Sequence, residues 1–489
     1  MTMPRVRMAP SPTGAAHVGT VRVAVFDYLY ARHTGGMFML RIEDTDQKRF
    51  VPGSLEDMMA SLRWMGMQWD EGPEVGGPVG PYFQSERLDL YHEFADQLIA
   101  EGKAYRCYCT KERLEEMRKL QEAAKLPTGY DRRCRDLTDD ERSDLARENP
   151  SPVIRFKMKQ EGTTELDDVV RGHVSFRNDL QDDFVALKAD GFPTYHFACV
   201  VDDHHMKITH VIRGEEWLSS APKHMQLYEA LGWEPPIWVH PPLILDENGR
   251  KLSKRSDTQT RFSSYIDDGY LPDAMLNFLA TMGWSAGEDK KLYGRKELIE
   301  KFSLEGITNH PAIFDLAKLN DLQGEYVRMM SVEDLANLIL PRLQAVGYIT
   351  ESPTDAEIAY LHKVTALIQD RLVLLKEAPE MVSFFYSDEL VYDEKGAAKH
   401  LAKETTPAIL NAVIGKLTGL ENWNVEAIEA AMRGVAEDLG VGAGQVIHPT
   451  RMSVTGRTWG PGLFELMEAV GSERCVTRLE KALSKASDW

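Results

Sequence analysis

The sequence predicts an α/β protein, with a parallel-sheet domain interrupted by a mixed insertion and followed by an all-helical region. Three observations predict it. A strand, a glycine-containing turn, a helix and a second strand follow one another in the first 46 residues. β-type segments return after a charge-rich stretch, and helical spacing runs through the last third of the chain.

Taken in order, Arg5–Pro10 alternates Val6 and Met8 against Arg5 and Arg7 and reads as a strand. Ser11-Pro12-Thr13-Gly14 breaks it. From His17 to His33 the apolar residues Val18, Val21, Val25 and Leu29 recur at helical spacing, and Gly35-Gly36 stops the helix. Met37–Ile42 is the next strand, with Glu43-Asp44-Thr45-Asp46 at its end. In parallel sheets of this kind, ligands collect at the carboxyl ends of the strands.

Residues 70–81 hold four Gly and three Pro and form a long loop. Residues 101–150 are charge-rich and helical, and 153–190 are short alternating segments such as Val153–Met158. Thr194–Ile212 reads as further β-type text, followed by a helix over about Trp217–Leu231. Lys251–Arg255 lies in a loop after Leu243-Ile244-Leu245. In the tail, Leu335, Leu338 and Ile339, then Leu410, Val413, Ile414 and Leu417, mark core faces of helices. The expected domains are 1–105 and 191–257 for the two halves of the sheet domain, 106–190 for the insertion, 258–330 for a connecting domain and 331–489 for the helical region.

At 489 residues the chain has room for about three domains at roughly 150 each. With 57 Lys+Arg against 76 Asp+Glu, the formal net charge is −19, which argues against a protein that simply coats nucleic acid. The cations are concentrated, however, with net +4 over 101–135 and net +4 over 248–262. An acidic exterior around two basic patches repels non-specific RNA and leaves those patches attractive. Five cysteines are too few for a disulfide scaffold and point to a reducing compartment. No apolar run approaches a membrane span, and the start has no apolar signal core. A cytoplasmic protein is the expectation.

Two strings carry the chemistry. Around His17, a helix start presents free backbone N–H groups and a partial positive charge, and Gly14 and Gly19 leave room for a phosphate backbone. In Lys251-Leu252-Ser253-Lys254-Arg255, three cations in five residues suit a polyphosphate whose charge grows on a leaving group. Each alone is also consistent with an ordinary helix turn and a solvated basic loop.

Together, His17-Val18-Gly19-Thr20 and Lys251-Leu252-Ser253-Lys254-Arg255 resemble the "HIGH" and "KMSKS" signatures of class I aminoacyl-tRNA synthetases. Thr20 stands where the first signature has a second His, which removes one imidazole near the phosphates. Arg41-Ile42-Glu43-Asp44-Thr45-Asp46, Gln84-Ser85-Glu86-Arg87, Pro193-Thr194-Tyr195-His196, Val201-Asp202-Asp203-His204 and Ile212-Arg213-Gly214-Glu215-Glu216-Trp217 narrow the resemblance to the bacterial-type glutamyl-tRNA synthetases, over essentially the whole chain.

The resemblance implies a Rossmann-type catalytic domain and ATP-dependent ligation of L-glutamate to tRNA(Glu) through glutamyl-adenylate, with ATP entering as its Mg2+ complex. It implies catalytic roles for His17, Gly19, Lys251 and Lys254, with Gly14, His17, Gly19 and Lys254 around ATP. Arg7, Ala9, Ser11, Glu43, Tyr195, Arg213 and Trp217 would surround the glutamate. Glu43 suits the α-ammonium, Arg213 the side-chain carboxylate, Arg7 either carboxylate, and Trp217 a wall. A guanidinium fork donates two charge-assisted bonds to a carboxylate, whereas an amide offers one acceptor, so glutamate is favoured over glutamine.

Cys107-Tyr108-Cys109, then 24 residues, then Cys134 offer three of the four ligands of a structural zinc, with Asp136 or Tyr130 as the fourth; the alternative is three free thiols. The resemblance further implies acceptor-end binding by 106–190, stem contact by 258–330 and anticodon binding by 331–489, where Arg371 would restrict the accepted base. A monomer is expected. The competing readings are a non-discriminating enzyme that also glutamylates tRNA(Gln), a glutaminyl-tRNA synthetase, a small-molecule nucleotidyltransferase and a non-enzymatic RNA-binding paralogue. The helical tail argues against the second and third, and the presence of Lys254 and Glu43 against the last.

Overall fold

Strand β1 (Arg5–Met8) pairs in parallel with β2 (Met37–Leu40), Arg5 opposite Met37 and Met8 opposite Leu40. Helix α1 (Val18–Thr34) crosses between them. It starts at His17, the capping residue, and ends at Gly35, whose φ of +64° is the left-handed stop that glycine adopts without strain. This βαβ unit is the one read from the sequence. The computed structural model describes residues 3–252 and 261–485.

The chain divides into two compact units, one of 1–266 with 272–316 and one of 267–271 with 317–489. In the first, α2 (Ser54–Trp64) and α3 (Leu88–Ala100) follow β2. Strands β3 (Ala104–Cys107), β4 (Val153–Phe156) and β7 (Val185–Leu187) form a three-stranded antiparallel sheet in the order β3-β4-β7. Helices α4 (Lys111–Ala123) and α5 (Asp139–Glu148) lie between β3 and β4, and the hairpin β5 (Thr163–Asp168) and β6 (Gly172–Arg177) between β4 and β7. After α6 (Tyr195–His205) come β8 (His210–Ile212), α7 (Ala221–Leu231) and β9 (Ile237–Val239).

The hairpin joins a four-stranded sheet. Its order is β6-β5-β9-β8, with β8 and β9 parallel and Asp168 of β5 opposite Trp238 of β9. The Thr209 N–H donates to the Arg5 carbonyl at 3.0 Å and brings β8 beside β1. The carboxyl ends of β1, β2, β8 and β9 therefore face one region, with β1 and β8 flanking the crevice. Strand β10 (Ile244–Leu245) pairs in parallel with β11 (Ala312–Ile313).

Two expectations are corrected. Thr194–Ile212 is not mainly β: Tyr195–His205 is helix α6. Its residues from Phe197 to Asp203 are all buried, including two aspartates, so no polar face appears in the sequence to reveal a helical period. The Trp217–Leu231 helix begins at Ala221, and Glu215–Ser220 is a tighter 3-10 segment that carries Trp217.

The second unit is helical from Ala317 of Leu316–Met329 through Ser472–Ser484. Leu335, Ile339, Leu410, Val413 and Leu417 are buried as expected, whereas Leu338 is exposed. Among the described residues, no helix is long and apolar enough to cross a membrane.

Candidate active site

A cleft of about 1070 Å³ opens in the first unit at the strand ends. It is lined by Arg7, Ala9, Ser11, Gly14, His17 and Gly19 from β1, the turn and α1, by Glu43 after β2, and by Tyr195, Arg213, Trp217 and Lys251. Thus every glutamate-site and ATP-site residue expected from the sequence lines one cavity, apart from Lys254, which lies outside the described residues.

His17 caps α1: its Nδ1 accepts the Gly19 N–H at 3.0 Å. A Cβ on Gly19 would stand 3.3 Å from that nitrogen, so glycine makes room for the imidazole as well as for a ligand. Lys254 is preceded and followed in the chain by described residues that are anchored beside the cleft. Before it, Lys251 bridges Leu245, and the Leu252 N–H donates to the Ile244 carbonyl at 3.0 Å. After it, Arg261 bridges His17, and the Phe262 N–H donates to the Ala16 carbonyl at 2.9 Å. Lys251 Nζ lies 3.5 Å from Glu216.

The arginines differ. Arg7 grips Asp203 with both Nε (3.0 Å) and Nη2 (3.3 Å). Arg41, fully buried beneath it, donates to Asp203 at 2.6 Å and to Glu43 at 3.0 Å. Burial alone would push the Asp203 carboxyl up, but Arg7 and Arg41 outweigh it and hold it at about 2. Burial pushes Glu43 above the usual carboxylate range, and Arg41 offsets part of this. Asp202, the neighbouring carboxylate, takes Arg87, Gln84 and Tyr91 at 2.7 to 2.9 Å. The Gln84-Ser85-Glu86-Arg87 string thus anchors α6, and Ser85 also donates to Asp44 at 2.6 Å.

Among the described residues, Arg213 has no such carboxylate partner. Its Nε donates to His240 Nε2 at 3.0 Å, and its Nη1 to His224 Nδ1 at 3.1 Å and to the Tyr195 hydroxyl at 3.4 Å. It stacks 4.8 Å over Trp238, and Tyr195 packs against Trp217 with ring centroids 4.4 Å apart. Asp203, Arg41, His224 and His240 were not singled out from the sequence. The Val201-Asp202-Asp203-His204 string carried a signal for the first, but the histidines are isolated letters in apolar text.

Beside β3, the Sγ atoms of Cys107, Cys109 and Cys134 lie within 4.8 Å of one another. The Tyr130 hydroxyl stands 3.2 Å from Cys107 and 3.6 Å from Cys109. Asp136 is exposed, with Lys157 3.8 Å from its carboxylate. Hydrogen bonds among the three thiols push Cys107 below the usual thiol range and Cys109 above it, so the sulfurs share their protons. In the second unit, Arg371 is exposed and close enough to lower the Arg451 guanidinium, which burial lowers first.

The family model "tRNA synthetases class I (E and Q), catalytic domain" matches residues 3–321, and "Anticodon binding domain" matches 334–483. The chain is 44% identical to the glutamate--tRNA ligase of Moorella thermoacetica over 99% of its own length and 98% of that protein. It is 46% identical to that of Dehalococcoides mccartyi over the same shares. The crystal structure of a glutamate tRNA ligase from Elizabethkingia meningosepticum in complex with its amino acid matches with a TM-score of 0.89 at 37% identity, over 99% of both chains. A parallel sheet with its cleft at the strand ends and these full-length matches lead to one conclusion: the chain belongs to the glutamate--tRNA ligase family of class I tRNA synthetases.

Proposed function

We infer that the protein ligates L-glutamate to tRNA(Glu) at the expense of ATP. The observation that carries the reading is a single cleft lined by His17, Glu43, Arg213 and Lys251, in a chain matched over its length by glutamate--tRNA ligases. An oxygen of the glutamate α-carboxylate attacks the α-phosphorus of ATP, and the bond to diphosphate breaks. A ribose hydroxyl of the terminal adenosine then attacks the acyl carbon of glutamyl-adenylate, and AMP leaves.

Catalysis of the first step is mostly positioning and charge stabilisation. The start of α1, with Gly14 and Gly19 beside it and His17 as its cap, offers backbone N–H groups and a dipole to the phosphates from one side. Lys251, and Lys254 in the adjoining segment, supply positive charge from the other as diphosphate leaves. Mg2+ accompanies the ATP phosphates. Glu43 receives the α-ammonium, whose charge restores the ionised form that burial disfavours. Ala9 and Ser11 line the backbone side of the amino acid, and Tyr195 and Trp217 wall its side chain. Arg213 receives the side-chain carboxylate, while Arg7 lends a paired, weaker field.

The 106–190 region, with net charge +4 over 101–135, serves the acceptor end, 258–330 the stem and 331–489 the anticodon, where Arg371 and its neighbour Arg451 bring two cations together. A zinc ion would be held by Cys107, Cys109 and Cys134, with Tyr130 rather than Asp136 as the fourth neighbour, and would brace the fold around β3. The enzyme acts as a cytoplasmic monomer. Aminoacylation of separate tRNA(Glu) and tRNA(Gln) transcripts with labelled glutamate tests the reading. Charging of tRNA(Glu) alone is expected; charging of both makes the enzyme non-discriminating, and charging of neither overturns the reading.

A further inference from the structure

Arg213 is buried in the cleft wall, yet among the described residues its hydrogen-bond partners are two imidazole nitrogens, a tyrosine hydroxyl and a backbone carbonyl. A guanidinium only donates, so His240 Nε2 and His224 Nδ1 must both present lone pairs to it. That fixes the proton of each ring. The His240 proton sits on Nδ1 and points at Asp168 Oδ2, 2.6 Å away. The His224 proton sits on Nε2 and points at His196 Nδ1, 3.1 Å away. Asp168 is itself pinned, because its other oxygen accepts the backbone N–H groups of Val170 (3.0 Å) and Arg171 (2.9 Å).

We propose that Asp168, His240 and His224 are positioning residues for glutamate selectivity: they fix the plane of the Arg213 guanidinium through two oriented imidazoles, with no carboxylate among the described residues paired to it. The proposal rests on the reading of Arg213 as the group that receives the substrate side-chain carboxylate. A carboxylate placed against Arg213, as Asp203 is placed against Arg7, would hold the fork equally well but would neutralise it. Neutral acceptors hold the fork and leave its attraction for the substrate carboxylate intact. An amide then gains nothing from the charge, and this is the basis of discrimination against glutamine. Burial and the nearby Arg213 keep His224 well below its usual range, which is consistent with a neutral ring.

The chain reaches this arrangement through the β5–β9 pairing. Asp168 ends β5 opposite Trp238, and His240 follows β9 directly, so the hairpin contributed by the inserted segment supplies the carboxylate that orients a cleft-wall ring.

Asp168→Asn tests it. The remaining oxygen keeps the backbone N–H groups, so the new amide must present its NH2 to His240 Nδ1. His240 then has to carry its proton on Nε2, donor to donor with Arg213. Glutamate KM in aminoacylation is expected to rise about tenfold or more, with the selectivity over glutamine falling and ATP KM unchanged. In 15N spectra of histidine-labelled protein, the protonated nitrogen of His240 should move from Nδ1 to Nε2, a change that a merely structural role would not produce. An unchanged tautomer, or an unchanged glutamate KM, overturns the proposal. A second pair guards against misfolding: His240→Gln keeps an acceptor for Arg213 and should retain more glutamate affinity than His240→Leu, and equal KM values for the two also overturn it. Failure of the unaltered enzyme to charge glutamate would instead strike the proposed function itself.

Discussion

Arg7 and Arg213 are both buried and both reach the same cleft, but their charges are handled in opposite ways. Arg7 lies across the two oxygens of Asp203, which it shares with Arg41. Arg213 lies between two imidazoles and a tyrosine hydroxyl. The first cluster is an ion network that closes on itself and holds β1, β2 and α6 together. The second leaves a cation open to the cavity. A buried charge with no opposite charge beside it is costly, and in the proposed function the substrate carboxylate supplies the charge that Arg213 lacks. The resemblance implied the side-chain carboxylate for Arg213 and allowed a carboxylate at Arg7 as well; the proposed function places the substrate side chain on Arg213.

The comparison can be broken most sharply at Asp203. Asp203→Ala leaves Arg7 and Arg41 buried without their shared counter-ion, and urea unfolding should show a loss of about 3–5 kcal/mol. A loss no larger than that of a surface substitution would remove the network from the account. Arg213→Gln should act the other way, with a smaller loss of stability but kcat/KM for glutamate down about a hundredfold, close to what one or two charge-assisted hydrogen bonds provide. An unchanged glutamate KM would sink the assignment.

Acid separates the two regions next. His196, which receives the His224 proton and is also faced by Lys223 and Arg213, is lowered to about 3 by burial first and then by those cations. Its folded value lies below its unfolded value near 6.5, so the unfolded chain binds a proton that the native one does not. Its contribution to stability is complete above about pH 6.5 and falls below it, by up to about 1.4 kcal/mol per pH unit. Asp203, lowered to about 2, loses its contribution only as pH falls from the ordinary carboxylate range near 3.9 towards 2. Unfolding measured between pH 7 and 4.5 should therefore weaken through the imidazole side, and His196→Asn should flatten that slope. A slope unaltered by this change would place the acid sensitivity elsewhere. The smallest effect is expected at Cys199, whose Sγ is 3.8 Å from Arg7 and Arg41 and donates to Asp203 at 3.4 Å. Cys199→Ser keeps a donor there and should change stability by no more than about 1 kcal/mol.

Much of this was legible in the residues. The βαβ unit showed itself through alternation in Arg5–Met8, spacing in α1 and the Gly35 stop, because those signals are local. The cleft residues from Arg7 to Lys251 were legible as strings. Helix α6 was not, because a stretch buried without a break from Phe197 to Asp203 shows no amphipathic period. Leu338 misled in the other direction: its spacing matched Leu335, but it lies outside the buried stripe. At the thiol cluster, the spacing left Asp136 and Tyr130 equal, and only the fold brought the tyrosine hydroxyl to the sulfurs.

By itself, then, the sequence determined the α/β class, the helical tail, the strings whose described residues line the cleft and the family, all of which rest on neighbours in the chain or on motifs in a fixed order. Tertiary structure alone decided which arginine is neutralised. Asp203 reaches Arg7 across 196 positions and Asp168 reaches His240 across 72, and no local pattern encodes such pairings. They arise because strands far apart in sequence lie side by side in one sheet, and in a buried site the free energy of a charge depends on the atoms that touch it rather than on the letters beside it.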